Sequence, residues 1–145
     1  MKLSFCSIFL MSLILAILIG CESAEKTKEM DSIALVNRGI DFGKKGQLDR
    51  AIVFFNEALE LNPRNAEAYY NRGSAYAHKD QYDRAISDYS EAIELNQKYE
   101  KAYNNRGLVY YYEGKHDEAC SDWQWACELG LCKNYELAII KGVCL

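Results

Sequence analysis

The sequence predicts an all-α chain: a short α-solenoid of three helical hairpins and a C-terminal capping helix, behind an N-terminal export segment. Two observations carry the prediction. The triplet Asn-Arg-Gly recurs at Asn37-Arg38-Gly39, Asn71-Arg72-Gly73 and Asn105-Arg106-Gly107, a period of 34 residues without a gap. Periods of this size mark stacked repeats in which each unit buries its apolar face against the next, and about three are needed for stability. Around each triplet, large and small residues fall three and four apart, the spacing that places them on one stripe of a helix.

The bulk properties narrow the function classes. With 145 residues, half of them apolar and one proline, there is material for one small domain plus accessories. A net charge of -4 leaves no cationic surplus to neutralise phosphates, so nucleic acid is not an expected partner.

Residues 1–20 read as a secretory signal: Met1 and Lys2 precede an uncharged run that ends at Gly20. Leu18-Ile19-Gly20-Cys21 resembles the bacterial lipoprotein lipobox. The resemblance implies cleavage before Cys21 and lipidation of its thiol. An uncleaved anchor remains the alternative, since about 18 apolar residues can span a bilayer. Glu22, rather than Asp, follows the lipidated position, which under the enterobacterial sorting rule points to the outer membrane, facing the periplasm. Residues 21–31 then form a polar, flexible leash.

The three repeat units are 32–65, 66–99 and 100–133. On the first helix of each come a large residue (Leu35, Tyr69, Tyr103), a small one (Gly39, Gly73, Gly107) and an aromatic (Phe42, Tyr76, Tyr110). The second carries Ala51, Ala85 and Ala119, then Phe55, Tyr89 and Trp123, then Ala58, Ala92 and Ala126. This pattern resembles the tetratricopeptide repeat. The repeat-ending proline appears only as Pro63, with Gln97 and Leu131 at the equivalent positions. A Gly facing an Ala lets two helices approach closely while the aromatics fill the grooves. The hairpins should turn near Lys45-Gly46, Lys79-Asp80 and Glu113-Gly114.

The resemblance implies that the first helices line a concave groove that holds a protein or peptide. Carried over residue by residue, it nominates Asn37, Asn71 and Asn105 as a ladder, with Ile40, Lys44, Tyr70, His78, Lys101, Leu108 and Tyr112 beside it. Asparagine offers the donor and acceptor that an extended backbone needs, although the same side chains could bond only to their neighbours. Chaperone-binding relatives hold a terminal carboxylate with five Lys, Asn and Arg residues. Here those positions are Val36, Ile40, Asn71, Lys101 and Asn105, two matches in five, which argues against that clamp. Arg72 and Arg106 are expected to pair with Asp88 and Asp122, as partly exposed ion pairs contributing about 0 to 1 kcal/mol, whereas Phe54 leaves Arg38 without an acid.

Residues 134–145 supply the capping helix and a cysteine-rich end. Cys120 and Cys127 lie seven apart on one helix, too far to bridge each other. A helix returning antiparallel would join Cys127 to Cys132 and Cys120 to Cys144, although four cysteines allow three connectivities. A zinc site from the same cysteines with His116 is disfavoured by the absence of a C-x-x-C pair. No cofactor, metal or small-molecule substrate is expected. His78 and His116 have no nucleophile at a motif spacing, so no enzyme is expected either. Two functions fit: a membrane-anchored adaptor that binds a peptide in its groove during assembly of a bacterial cell-envelope complex, or a structural subunit held through its convex face.

Overall fold

A computed structural model describes the backbone of residues 5–144 and the side chains of residues 25–144. The secretory signal and the acylation of Cys21 fall outside the residues whose side chains are described. Among the described residues seven helices follow one another: α1 Phe5–Lys44, α2 Leu48–Leu61, α3 Ala66–Ala77, α4 Tyr82–Leu95, α5 Glu100–Tyr112, α6 His116–Glu128 and α7 Lys133–Ile140. Helix α1 pairs with α2, α3 with α4 and α5 with α6 as hairpins, the hairpins stack in order, and α7 closes the stack against α6. Among the described residues there is no strand, and no helix is long and apolar enough to cross a membrane.

The segment expected as a flexible leash is helical: Glu25 to Asp31 continue α1 without a break. Glu, Lys and Met favour helix, and neither Gly nor Pro interrupts. The packed part of α1 already supplies a nucleus, so each further residue adds a hydrogen bond without a new initiation cost.

The three hairpin turns share one solution. Gln47, Gln81 and Lys115 each donate a backbone N–H to the carbonyl five residues earlier, on Phe42, Tyr76 and Tyr110, at 2.9–3.0 Å. The residue before each takes a left-handed conformation: Gly46 (φ 71°), Asp80 (φ 56°) and Gly114 (φ 77°). This helix stop satisfies carbonyls that would otherwise lack partners.

Burial follows the predicted stripe, with one adjustment. Ala51, Ala58, Ala85, Ala92, Ala102, Ala119 and Ala126 are fully buried. The repeated glycines lie beneath the aromatic of the facing helix more closely than beneath its alanine. A Cβ on Gly39 would come within 2.5 Å of the Phe55 ring, one on Gly73 within 3.1 Å of Tyr89, and one on Gly107 within 2.8 Å of Trp123.

Polar groups complete the core. Arg72 grips Asp88 with two bonds, Nε to Oδ2 at 2.8 Å and Nη2 to Oδ1 at 2.7 Å, and donates a third from Nη1 to Asn56 Oδ1 at 2.7 Å. Arg106 repeats the arrangement on Asp122, with Ser90 in place of Asn56. The arginines keep the partial exposure expected of the pairs, with side chains 20% and 18% exposed, whereas Asp88 and Asp122 are only 5% and 4% exposed. Each arginine joins three helices, because its planar fork matches a carboxylate with two donors and leaves others for the preceding repeat. Burial raises the Asp122 carboxyl above its ordinary value, while its bonds to Arg106 pull the other way. Arg38, lacking an acid, stacks over Phe54 with its guanidinium 4.6 Å from the ring centre.

At the C-terminal end, α7 lays Ala138 against Trp123 and Ala119. Disulfides join Cys120 to Cys144 and Cys127 to Cys132.

Candidate functional site

A groove of about 830 Å³ lies between α3 and α5, floored by α4. Helix α3 supplies Tyr70, Asn71, Ser74 and Ala77, with His78 at its C-terminal end, and α5 supplies Asn105, Leu108, Val109 and Tyr112. These positions recur three and four apart, so each helix presents one continuous face. Asp80 from the turn and Tyr82 and Tyr89 from α4 close the wall.

Six of the ten nominated groove residues line this cavity: Tyr70, Asn71, His78, Asn105, Leu108 and Tyr112. Asn37, Ile40, Lys44 and Lys101 are not among its lining residues. The space between α1 and α3 is filled by apolar contact: Val36, 1% exposed, and Ile40 pack in the cluster that contains Ala68 and Ala75. Asn37 and Lys44 are exposed on α1. Lys101 is exposed on the first turn of α5, eleven residues and about 16 Å along the axis from Tyr112.

The asparagines, equivalent in sequence, are unequal in the fold. Asn71 lines the cavity and donates to the Glu67 carbonyl on its own helix at 2.8 Å, and its side-chain oxygen remains available to another donor. Asn105 is tied into a relay that crosses three helices. Asn134 donates to Asn104 (2.8 Å), Asn104 to Asn105 (3.2 Å), and Asn105 to the Tyr70 hydroxyl (3.2 Å). Tyr89 donates to the Ser74 hydroxyl at 3.1 Å, and Ser74 donates onward to the Tyr70 carbonyl at 3.0 Å. Burial pushes the Tyr89 hydroxyl up to about 12 and raises Tyr70 as well, so both stay protonated at physiological pH.

Sequence reasoning missed Asp80, Tyr82, Tyr89 and Val109 as cavity residues, while Ser74 and Ala77 stood among the groove positions that the resemblance implied. Tyr89 was legible only as a core aromatic, and Asp80 only as a turn residue. One signal was present: Asp80 stands where the other two repeats carry Gly46 and Gly114. Its carboxylate accepts the Tyr82 hydroxyl at 3.0 Å, and this bond is the largest cause of the raised Tyr82 pKa. The Tyr82 and Tyr112 rings are nearly parallel, 12° apart, with centroids 6.3 Å apart. Among the described residues, no group of three His, Cys, Asp or Glu side chains converges to hold a metal.

Stacked helical hairpins with a groove on their first helices define a repeat scaffold of the α-solenoid class. Models described as TPR repeat and tetratricopeptide repeat match residues 41–80, 66–99 and 100–122. The second TPR domain of Spaghetti (RPAP3), solved with the HSP90 peptide SRMEEVD, is 32% identical with a TM-score of 0.71, the match covering 74% of this chain and 98% of that one. The second TPR domain of human RPAP3, in complex with the HSP70 peptide SGPTIEEVD, is 28% identical (TM-score 0.72; 80% and 97% covered). The Arabidopsis OM64 TPR domain is also 28% identical (TM-score 0.74; 79% and 98% covered). No curated protein sequence matches the chain. The chain belongs to the tetratricopeptide repeat family.

Proposed function

We propose that the protein is a lipid-anchored adaptor of the bacterial cell envelope that captures an extended segment of a partner protein in the α3–α5 groove. The observation that carries the reading is the groove itself: about 830 Å³, rimmed by tyrosines and by the free acceptor of Asn71. Neutral hydrogen bonds contribute about 1 kcal/mol each, so the aromatic faces supply much of the affinity. Related TPR domains hold chaperone peptides, which supports a peptide as ligand. With Val36 and Ile40 packed in the core, two of the five clamp positions used by chaperone-binding relatives have no polar group to offer.

Anchoring rests on the lipobox Leu18-Ile19-Gly20-Cys21. Two or three acyl chains would hold the chain firmly, at about 0.8 kcal/mol per buried methylene. The helical course of Glu25 to Asp31 adds that the connection is stiff, advancing about 1.5 Å per residue where an extended leash would reach about 3.5 Å. Glu22 favours the outer membrane, facing the periplasm.

Crosslinking in the native envelope, comparing wild type with Asn71→Ala, Tyr70→Ala and Tyr112→Ala, tests the groove. Loss of a partner with melting unchanged supports it; undiminished capture by all three variants would move the partner to the convex face. Mass spectrometry of the membrane-extracted protein tests the anchor, which requires an acylated N-terminal Cys21 that Cys21→Ser abolishes.

A further inference from the structure

We propose that the groove recognises its peptide through an arginine or lysine side chain laid on the Tyr82–Tyr112 aromatic pair against the Asp80 carboxylate. The inference rests on the peptide-binding reading above and adds the charge that the ligand carries. Asp80 is its starting point. All three hairpin turns need a left-handed residue, and two of them use glycine, which adopts that conformation without strain. The turn beside the groove uses Asp80 at φ 56°, a conformation that aspartate tolerates better than most residues though less easily than glycine. Its carboxylate lies in the groove wall, so the substitution gives this turn a charge that a ligand can meet.

The surroundings suit a cation. Asp80 accepts one hydrogen bond, from Tyr82, and a carboxylate has about four lone-pair sites to offer. Next to it the parallel rings of Tyr82 and Tyr112 present aromatic faces, and Tyr112 is 69% exposed. Such faces attract ammonium groups and stack on guanidinium planes. The cavity lining contains neither Lys nor Arg. The cations nearby are engaged elsewhere: Lys79 with Asp49, Lys115 with Glu113, Arg72 with Asp88 and Arg106 with Asp122. An incoming cation would meet an unneutralised carboxylate, whereas an acidic segment would meet repulsion.

Immobilised libraries of capped hexapeptides, random except for one fixed position holding arginine, lysine, citrulline or glutamate, test this with the full chain in detergent. Citrulline keeps the shape of arginine without its charge. Wild type should be retained on the arginine and lysine libraries at least about fivefold more than on the other two, as expected for a desolvated cation on aromatic faces. Asp80→Gly restores the residue used in the other turns, so it should melt no lower than wild type yet lose the preference, and Tyr112→Ala should weaken it. Equal retention on arginine and citrulline, stronger retention on glutamate, or a preference that survives Asp80→Gly overturns the inference and leaves a peptide groove standing. Retention on none of the libraries overturns the groove reading, and this inference with it.

Discussion

Arg72 and Asp88 face each other across the second hairpin as a two-point ion pair, both bonds 2.7–2.8 Å, with the carboxylate buried. The third bond of Arg72, to Asn56 sixteen residues back, makes the pair a fastener between repeats as well as within one. Removing one partner of a buried pair strands the other charge, so Asp88→Ala should destabilise the fold by about 3 to 5 kcal/mol. Asp49→Ala, which breaks the exposed pair with Lys79, should cost less than about 1 kcal/mol. Urea unfolding of both variants is the comparison, and equal losses would contradict the role given to burial.

Glycine at the repeat contacts is predicted to rank by clearance. Gly39→Ala places a methyl within 2.5 Å of the Phe55 ring and Gly73→Ala within 3.1 Å of Tyr89, so the first should be the more harmful. Overpacking of this kind costs about 1 to 3 kcal/mol. Thermal melts would reveal the order, and a neutral Gly39→Ala would mean that the Phe55 ring yields easily.

Alkaline pH should loosen the fold through its tyrosines. An unfolded tyrosine ionises near about 10, whereas burial holds the proton of Tyr89 to about 12 and raises Tyr70 and Tyr99 as well. The folded state therefore binds more protons than the unfolded state above pH of about 10, and stability is full below that value and falls as pH rises toward about 12. Denaturation midpoints measured from neutral to alkaline pH, with tyrosinate absorbance recorded in parallel, check this. In Tyr89→Phe the alkaline loss should be smaller.

Of the two disulfides, Cys120–Cys144 closes the longer loop, with a sequence separation of 24 against 5 for Cys127–Cys132. Loop-closure entropy makes it the more stabilising, within the usual range of about 2 to 4 kcal/mol. Cys120→Ser with Cys144→Ser should accelerate hydrogen exchange in α7, and Cys127→Ser with Cys132→Ser should do so less. Peptide mapping without reduction would identify the pairs directly.

Much of this architecture is legible in the letters because the signal repeats. A 34-residue period with large and small residues at helical spacing leaves few ways to bury the apolar stripe, so the hairpins, their turns and the pairing of Arg72 and Arg106 with acids follow from pattern alone. The cysteine pairing is legible for a similar reason, since one short helix must return to cover the last repeat. Asn37, Asn71 and Asn105 occupy the same register, and sequence cannot tell them apart. Their fates diverge through neighbours distant in the chain: Asn134 engages Asn105 through Asn104, while Asn71 keeps a free acceptor. Ser32 escaped notice altogether, although it is fully buried, donates to the Ala58 carbonyl at 2.9 Å and accepts from Asn65 at 3.0 Å.

Periodicity thus dictated the fold class and the glycine, alanine and aromatic contacts, because those are nearest-neighbour constraints that every repeat restates. The tertiary structure decided which repeats open a cavity. Between α1 and α3 the aliphatic Val36 and Ile40 close the gap, whereas between α3 and α5 the rings of Tyr70, Tyr82 and Tyr112 line a groove beside the turn that carries Asp80. That difference depends on side-chain volume and on partners brought together by stacking, which no single repeat contains.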